Sequence, residues 1–400
     1  MILAGRLLDP DVERPAIGWL RIEGGIIVER GDGEAPPGAI GGDQCVVTPG
    51  FVDAHLHLPQ FDAIGCHGLE LLTWLRTVIY PAERRWADEV VARAQIDTAH
   101  ERLLREGTVA YAGYLTSHGT GVDSLCTTDA RRPRAVVGQV RMDREAPDDL
   151  IGHPVIVTPA DTPSLRWSVN PRFAVACSRE ALAQAGRDAG PTTIIQTHHA
   201  ETRLECERVH ALFPEAENYV SIYDTSGLLR PTTLLAHGIH ATDDELALIA
   251  QRGATIVHCP TANVFLEAGM LDLARVRDAG VRLALGSDVA AGADIAMPVV
   301  ARAMIDLAVC RRMSGDAAAY VPSPVEAWRM ITRDNAIALG MDDLGTLEPG
   351  GAASLLLLRP TVPADEHLHG RLLYNWTARW IDTMVVDGRV VTGPSTQDRR

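Results

Sequence analysis

Pro49-Gly50-Phe51-Val52-Asp53-Ala54-His55-Leu56-His57 is the stretch on which the fold turns. It is an apolar, extended run that ends in two histidines two positions apart, and side chains at i and i+2 of a strand point to one face. It closes the first of eight apolar runs, at 45–57, 108–115, 135–142, 166–170, 193–198, 233–237, 254–259 and 281–288. Helical stretches lie between them, among them 89–105, 243–252 and 271–279. Arg105-Glu106-Gly107 and Gln251-Arg252-Gly253 carry the charged last turn and following glycine of helix ends. Eight strands alternating with helices over about 240 residues predict an α/β chain folded as a (β/α)8 TIM barrel, spanning 49–344. An open doubly wound sheet is the alternative, and eight units fit the closed form better.

The two chain ends read differently. Residues 1–48 are short strands between Gly, Pro and Asp turns, with Gly24 separating two strand-like runs. Strand signals return from residue 345, and 384–391 reads as a hairpin around Asp387-Gly388. Residues 1–48 and 345–400 are therefore expected to pair as one small β-sandwich domain.

Composition narrows the function. The chain has 400 residues, 46% hydrophobic and 22% charged, with a net charge of −15. That balance excludes disorder and argues against nucleic acid, which selects a basic face. All 37 cations are arginine, so Schiff-base lysines, a Walker A lysine and a metal site bridged by a modified lysine are excluded. No apolar stretch has the ~20 residues of a membrane span, and the start Met1-Ile2-Leu3-Ala4-Gly5-Arg6 lacks a signal peptide's apolar region. Seven cysteines without a C-x-x-C pair read as reduced thiols. A cytoplasmic location is expected.

In a barrel enzyme chemistry sits at the carboxyl ends of the strands. Four of the eight runs end in metal-ligand residue types: His55 and His57, His198, His237, and Asp288. Neutral imidazoles with one carboxylate suit a borderline cation such as zinc, with an open position for water, and Fe2+ or Mn2+ are also compatible. Whether His198 or its neighbour His199 faces the ion is a question of register, because adjacent strand residues point oppositely. Glu201, three residues after His198, is placed to act as general acid and base beside a bound water. His199-Ala200-Glu201 also matches the H-x-E of cytidine-type zinc deaminases, but that reading needs a later P-C-x-x-C, and His258-Cys259-Pro260 does not supply it.

With those residues in place, the chain resembles the amidohydrolase superfamily and, within it, the guanine deaminase family. The resemblance runs from about Pro49 to Asp387. It rests on Pro49 to Gln60, Leu71-Leu72-Thr73-Trp74-Leu75 with Tyr80-Pro81-Ala82-Glu83, Met142-Asp143-Arg144, Asn170-Pro171-Arg172-Phe173, Gln196 to Glu201, Ala236-His237-Gly238 and His258-Cys259-Pro260. It implies that His55, His57, His198 and Asp288 hold one zinc ion. Glu201, His237 and Asp288 would be the catalytic residues, with His237 against the reacting water or substrate. Gln60, Arg172 and Phe173 would hold the purine; an amide that donates and accepts, a planar donor fork and a stacking face suit that task. The implied reaction is hydrolytic deamination of guanine to xanthine and ammonia. Another aminated heterocycle on the same one-metal site (a pterin, an ammeline-type triazine, another aminopurine) is the alternative. A homodimer is implied as well, and 67–86 is expected to cover the mouth.

Overall fold

The computed structural model describes residues 1–10, 12, 14–127 and 132–392. Eight parallel strands carry the middle of the chain. Phe51–His57, Thr108–Tyr114, Arg134–Gly138 and Leu165–Trp167 form one four-stranded sheet, and Ile195–His199, Thr233–His237, Thr255–His258 and Arg282–Leu285 form a second. Backbone hydrogen bonds join the two along both seams. At one, Val169 N donates to Ile194 O and Gln196 N to Val169 O, both at 3.0 Å. At the other, Asp288 N donates to His55 O at 2.8 Å and His57 N to Val289 O at 3.1 Å. Most of these strands are buried along their whole length. Burial on both faces is why they read as continuous apolar runs rather than alternating ones.

The intervening helices carry the signals that start and stop them. Glu89–Arg105 opens on Asp88, whose carboxylate accepts from Val90 N at 2.8 Å. Its buried face is Ala92, Ile96, Ala99 and Leu103, a helical spacing. Asp243–Arg252 opens on a capping box between Thr242 and Glu245 and closes at Gly253 with φ 69°.

Three expected runs are subdivided. Residues 45–57 are not one strand: Ile40–Pro49 belongs to a different sheet from Phe51–His57. Gly50 is the break. Its N–H donates to Ser354 O at 3.0 Å, and a Cβ there would stand 2.2 Å from a Val109 methyl. The run 135–142 divides into Arg134–Gly138 and Val140–Arg141, and 166–170 gives way to Leu165–Trp167 and Asn170–Pro171, the two short ends pairing with each other. The eighth strand stops at Leu285, so Asp288 lies on the turn beyond it.

Strands from the two chain ends share a sheet. One seven-stranded mixed sheet runs in the order Arg389–Thr392, Ile381–Val386, Leu355–Leu358, Ile40–Pro49, Ile2–Leu7, Ala16–Glu23, Ile26–Asp32. Leu355 stands opposite Pro49 and Leu358 opposite Val46. Leu3, Leu20, Ile27, Val47, Leu355 and Val385 belong to a buried cluster separate from the main core. Asp387 and Gly388 turn the last hairpin with φ 48° and 77°, the left-handed pair a tight two-residue hairpin requires. Residues 393–400, part of the expected terminal domain, lie outside the described residues. Among the described residues no helix is long and apolar enough to cross a membrane, and all seven cysteines are free.

Candidate active site

The strand ends converge on one buried polar cluster. His55 Nε2 lies 3.3 Å and His57 Nε2 3.4 Å from Asp288 Oδ1, and His57 Nε2 lies 3.2 Å from His198 Nε2. His237 Nε2 stands 3.8 Å from Asp288 Oδ2. The ligand atoms of His55, His198, His237 and Asp288 all fall within 4.8 Å of one another. Ligands held tetrahedrally at 2.0–2.1 Å from one ion sit about 3.3 Å apart, close to the three separations among His55, His57, His198 and Asp288 given above, whereas the group within 4.8 Å has His237 in place of His57.

The hydrogen bonding fits an ion as well. His198 Nδ1 lies 2.7 Å from Arg172 O and donates to it, which leaves Nε2 as a lone pair facing the cluster. His237 Nδ1 donates likewise to Asn263 Oδ1 at 3.0 Å. His55 Nε2 and His237 Nε2 are buried without a hydrogen-bond partner. Burial lowers His57 to about 4 and pushes His198 well below the usual imidazole range, keeping both neutral. Burial pushes the Asp288 carboxyl up, but the close approach of the His55 and His57 imidazoles more than reverses this and holds it well below the ordinary range. Neutral imidazoles and an ionised carboxylate are the ligand forms a divalent cation requires.

Backbone geometry aims the side chains. His237 and Asp288 sit at φ 74° and 50°, and Ala200, between His199 and Glu201, at φ 48°. Non-glycine residues in this region cost roughly 1–3 kcal/mol each and cluster at functional sites. The kink at Ala200 turns Glu201 into the cavity, where its Oε2 lies 3.5 Å from His237 Nε2 and its Oε1 meets no partner. Burial, then the charges of Asp288 and Glu205, push the Glu201 carboxyl well above its usual value. The site thus places two carboxyls against His237 whose surroundings push their proton affinities in opposite directions, the pairing acid–base chemistry uses. His199 points the other way, with its ring centroid 4.8 Å from that of Tyr219. This settles the register in favour of His198.

A small cavity opens beside the cluster. His57, His198, Glu201, His237 and Asp288 line it together with Gln60, Arg172 and Phe173. Of the residues singled out in the sequence, His55 alone is not in the wall, lying instead beneath Asp288. Leu71, Trp74 and Leu75, from the segment 67–86, line the cavity as well. Glu70 caps that short helix, accepting from Leu72 N and Thr73 N. The cavity lining mixes apolar side chains with convergent polar groups, as small-molecule sites do.

Three residues of the site carry no role in the sequence reading. Tyr114 stacks on His57 with centroids 4.6 Å apart. Asn263 fixes His237. Glu83, fully buried, accepts from Arg172 Nη1 at 2.8 and 2.9 Å and from Gln60 Nε2 at 3.1 Å. Each had a faint signal: Tyr114 ends the second strand, Asn263 follows His258-Cys259-Pro260, and Glu83 closes Tyr80-Pro81-Ala82-Glu83.

The amidohydrolase family model matches residues 46–391, and the chain belongs to that family. It is 31% identical over 329 residues to guanine deaminase of Escherichia coli (strain K12), covering 79% of this chain and 73% of the relative. The solved guanine deaminase of Bradyrhizobium japonicum superposes with a TM-score of 0.88 at 25% identity, over 99% of this chain and 100% of that one. The solved E. coli guanine deaminase gives 0.86 at 27%, over 98% and 100%.

Proposed function

We propose that this protein hydrolyses guanine to xanthine and ammonia. The observation that carries the reading is the meeting, in one cavity, of a His/Asp cluster able to hold an ion, Glu201 with its proton affinity raised by burial, and the Gln60–Arg172–Phe173 wall. His55, His57, His198 and Asp288 would hold one divalent ion, zinc by the nature of the donors. Such an ion supplies water activation, lowering the pKa of water from 15.7 to about 7.

The chain's own residues do the rest. Phe173 stacks on the purine while Arg172 and Gln60 orient its polar edge. Glu201 gives its proton to the ring nitrogen beside C2, which makes that carbon electrophilic. Asp288 accepts the proton of the attacking water, and His237, held by Asn263, contacts the oxygen that gains charge. A tetrahedral C2 forms, the exocyclic amine takes up a proton, the C2–N bond breaks, and ammonia leaves. Acid–base assistance of this kind contributes roughly 10²–10⁴-fold.

We read the eight parallel strands with their helices, 49–344, as one closed (β/α)8 barrel. Residues 1–48 and 345–400 then make the small β-sandwich domain. A homodimer, a cytoplasmic location and a purine-metabolic role without nucleic-acid partners belong to the same reading. The test is direct: incubate the purified, zinc-loaded protein with guanine and follow xanthine by absorbance and ammonia by a coupled assay. Release of both is expected, and intact guanine with no ammonia would overturn the proposal.

A further inference from the structure

Glu83 is completely buried and is engaged with both polar residues of the cavity wall. Its two oxygens share Arg172 Nη1, leaving Nε and Nη2 of that cavity-lining guanidinium without a protein acceptor among the described residues. Its Oε1 also accepts a hydrogen bond from Gln60 Nε2, so the amide oxygen of Gln60 must face the other way, where Ala290 N donates to it at 3.3 Å. Tyr80, one turn before Glu83, lies under Arg172, 5.4 Å from guanidinium carbon to ring centroid. One carboxylate therefore sets the rotamer of Arg172 and the amide orientation of Gln60, and cancels the one permanent positive charge in the wall.

That charge matters because of the reaction's own chemistry. Replacing the C2 amine of guanine by a carbonyl leaves the adjacent N–H between two carbonyls. It is then an imide, a stronger acid than the lactam it came from, so the product ionises where the substrate does not. An unbalanced guanidinium would hold the anionic product more tightly than the neutral substrate.

We propose that Glu83 is the positioning and selectivity residue of the cavity: it orients Gln60 and Arg172 and neutralises Arg172, so that neutral guanine is preferred over anionic xanthine. This rests on the guanine reading above, and ammonia release by the wild-type protein tests that reading separately. Glu201, Asp288 and the imidazoles of His57, His198 and His237 share the cavity and are unchanged in a Glu83 variant, so a comparison at one pH isolates Glu83.

The readout is the inhibition constant of xanthine divided by the KM of guanine, at a mildly alkaline pH where the imide is ionised. In Glu83→Gln this ratio is expected to fall by on the order of tenfold or more, with the guanine KM raised and metal content unchanged. A raised KM with an unaltered ratio would show that Glu83 only props up the wall, and would overturn the charge-balancing role. An unchanged KM would overturn the positioning role. The wild-type protein carries a second test that no folding defect can obscure. As pH rises through the ionisation of xanthine, its ratio should hold steady or increase; a fall of tenfold overturns the proposal.

Discussion

Glu201 and His198 show what a single side chain decides. Burial beside Asp288 and Glu205 raises the hold of Glu201 on its proton, and a Gln there keeps the size and loses the transferable proton. Glu201→Gln should lower kcat by roughly 10²–10⁴-fold while zinc content stays at one per chain. Ammonia release and elemental analysis check this, and a variant with near wild-type turnover would strip Glu201 of its role. His198 and His199 are neighbours with opposite fates. His198→Ala should lose the ion; His199→Ala should keep it, because that ring packs between Tyr219 and Tyr223. Metal analysis of the two variants separates them. The candidate ligand types were legible at the ends of the apolar runs, although only the resemblance set His237 apart from the others. Glu83 was not, since nothing in sequence reveals that a carboxylate on one segment will meet Arg172 from another 89 positions away.

Elements act as frames for those side chains. The turn after the strand Ile195–His199 is locked by the helix that follows, Arg203–Leu212. Glu205 Oε2 accepts from Glu201 N at 2.7 Å and Thr202 N at 3.2 Å, and its Oε1 accepts from Tyr219 OH at 2.6 Å. Tyr223 OH in turn donates to His198 O at 2.7 Å. Glu205→Ala would remove a cap and leave three buried donors unmatched, at a cost of about 2–4 kcal/mol. Urea denaturation should show that loss, with kcat falling as Glu201 is released. Unchanged stability and kcat would mean that the frame does not hold Glu201. Alternating strands and helices were readable from the apolar runs, but their edges were not. Residues 45–57 read as one strand because both halves are buried, and only the close approach of Gly50 to Val109 separates them.

The whole molecule couples ion, acid and fold. An ion bound only to the folded chain adds about 4 kcal/mol at a thousand times its Kd. Exhaustive chelation should therefore lower Tm by several degrees, and re-addition of zinc should restore both Tm and activity; a Tm indifferent to chelation argues against a bound ion. Acid acts through other histidines. Burial lowers His100 to about 3 and His369 to about 4. As pH falls below the unfolded value of about 6.5, the unfolded chain binds protons that the folded chain refuses, so stability drops until those lowered values are reached. Each contributes up to about 1.4 kcal/mol per pH unit, and His100→Gln should flatten the acid limb of a Tm-against-pH curve.

The pairing of Leu355–Leu358 with Ile40–Pro49 sets an order on biosynthesis. The amino-terminal strands leave the ribosome roughly three hundred residues before the partners that finish their sheet, at a typical synthesis rate some tens of seconds earlier. Until then their hydrogen-bonding edge stays open, and a nascent chain cut short before residue 355 would expose it for good, a template for aggregation.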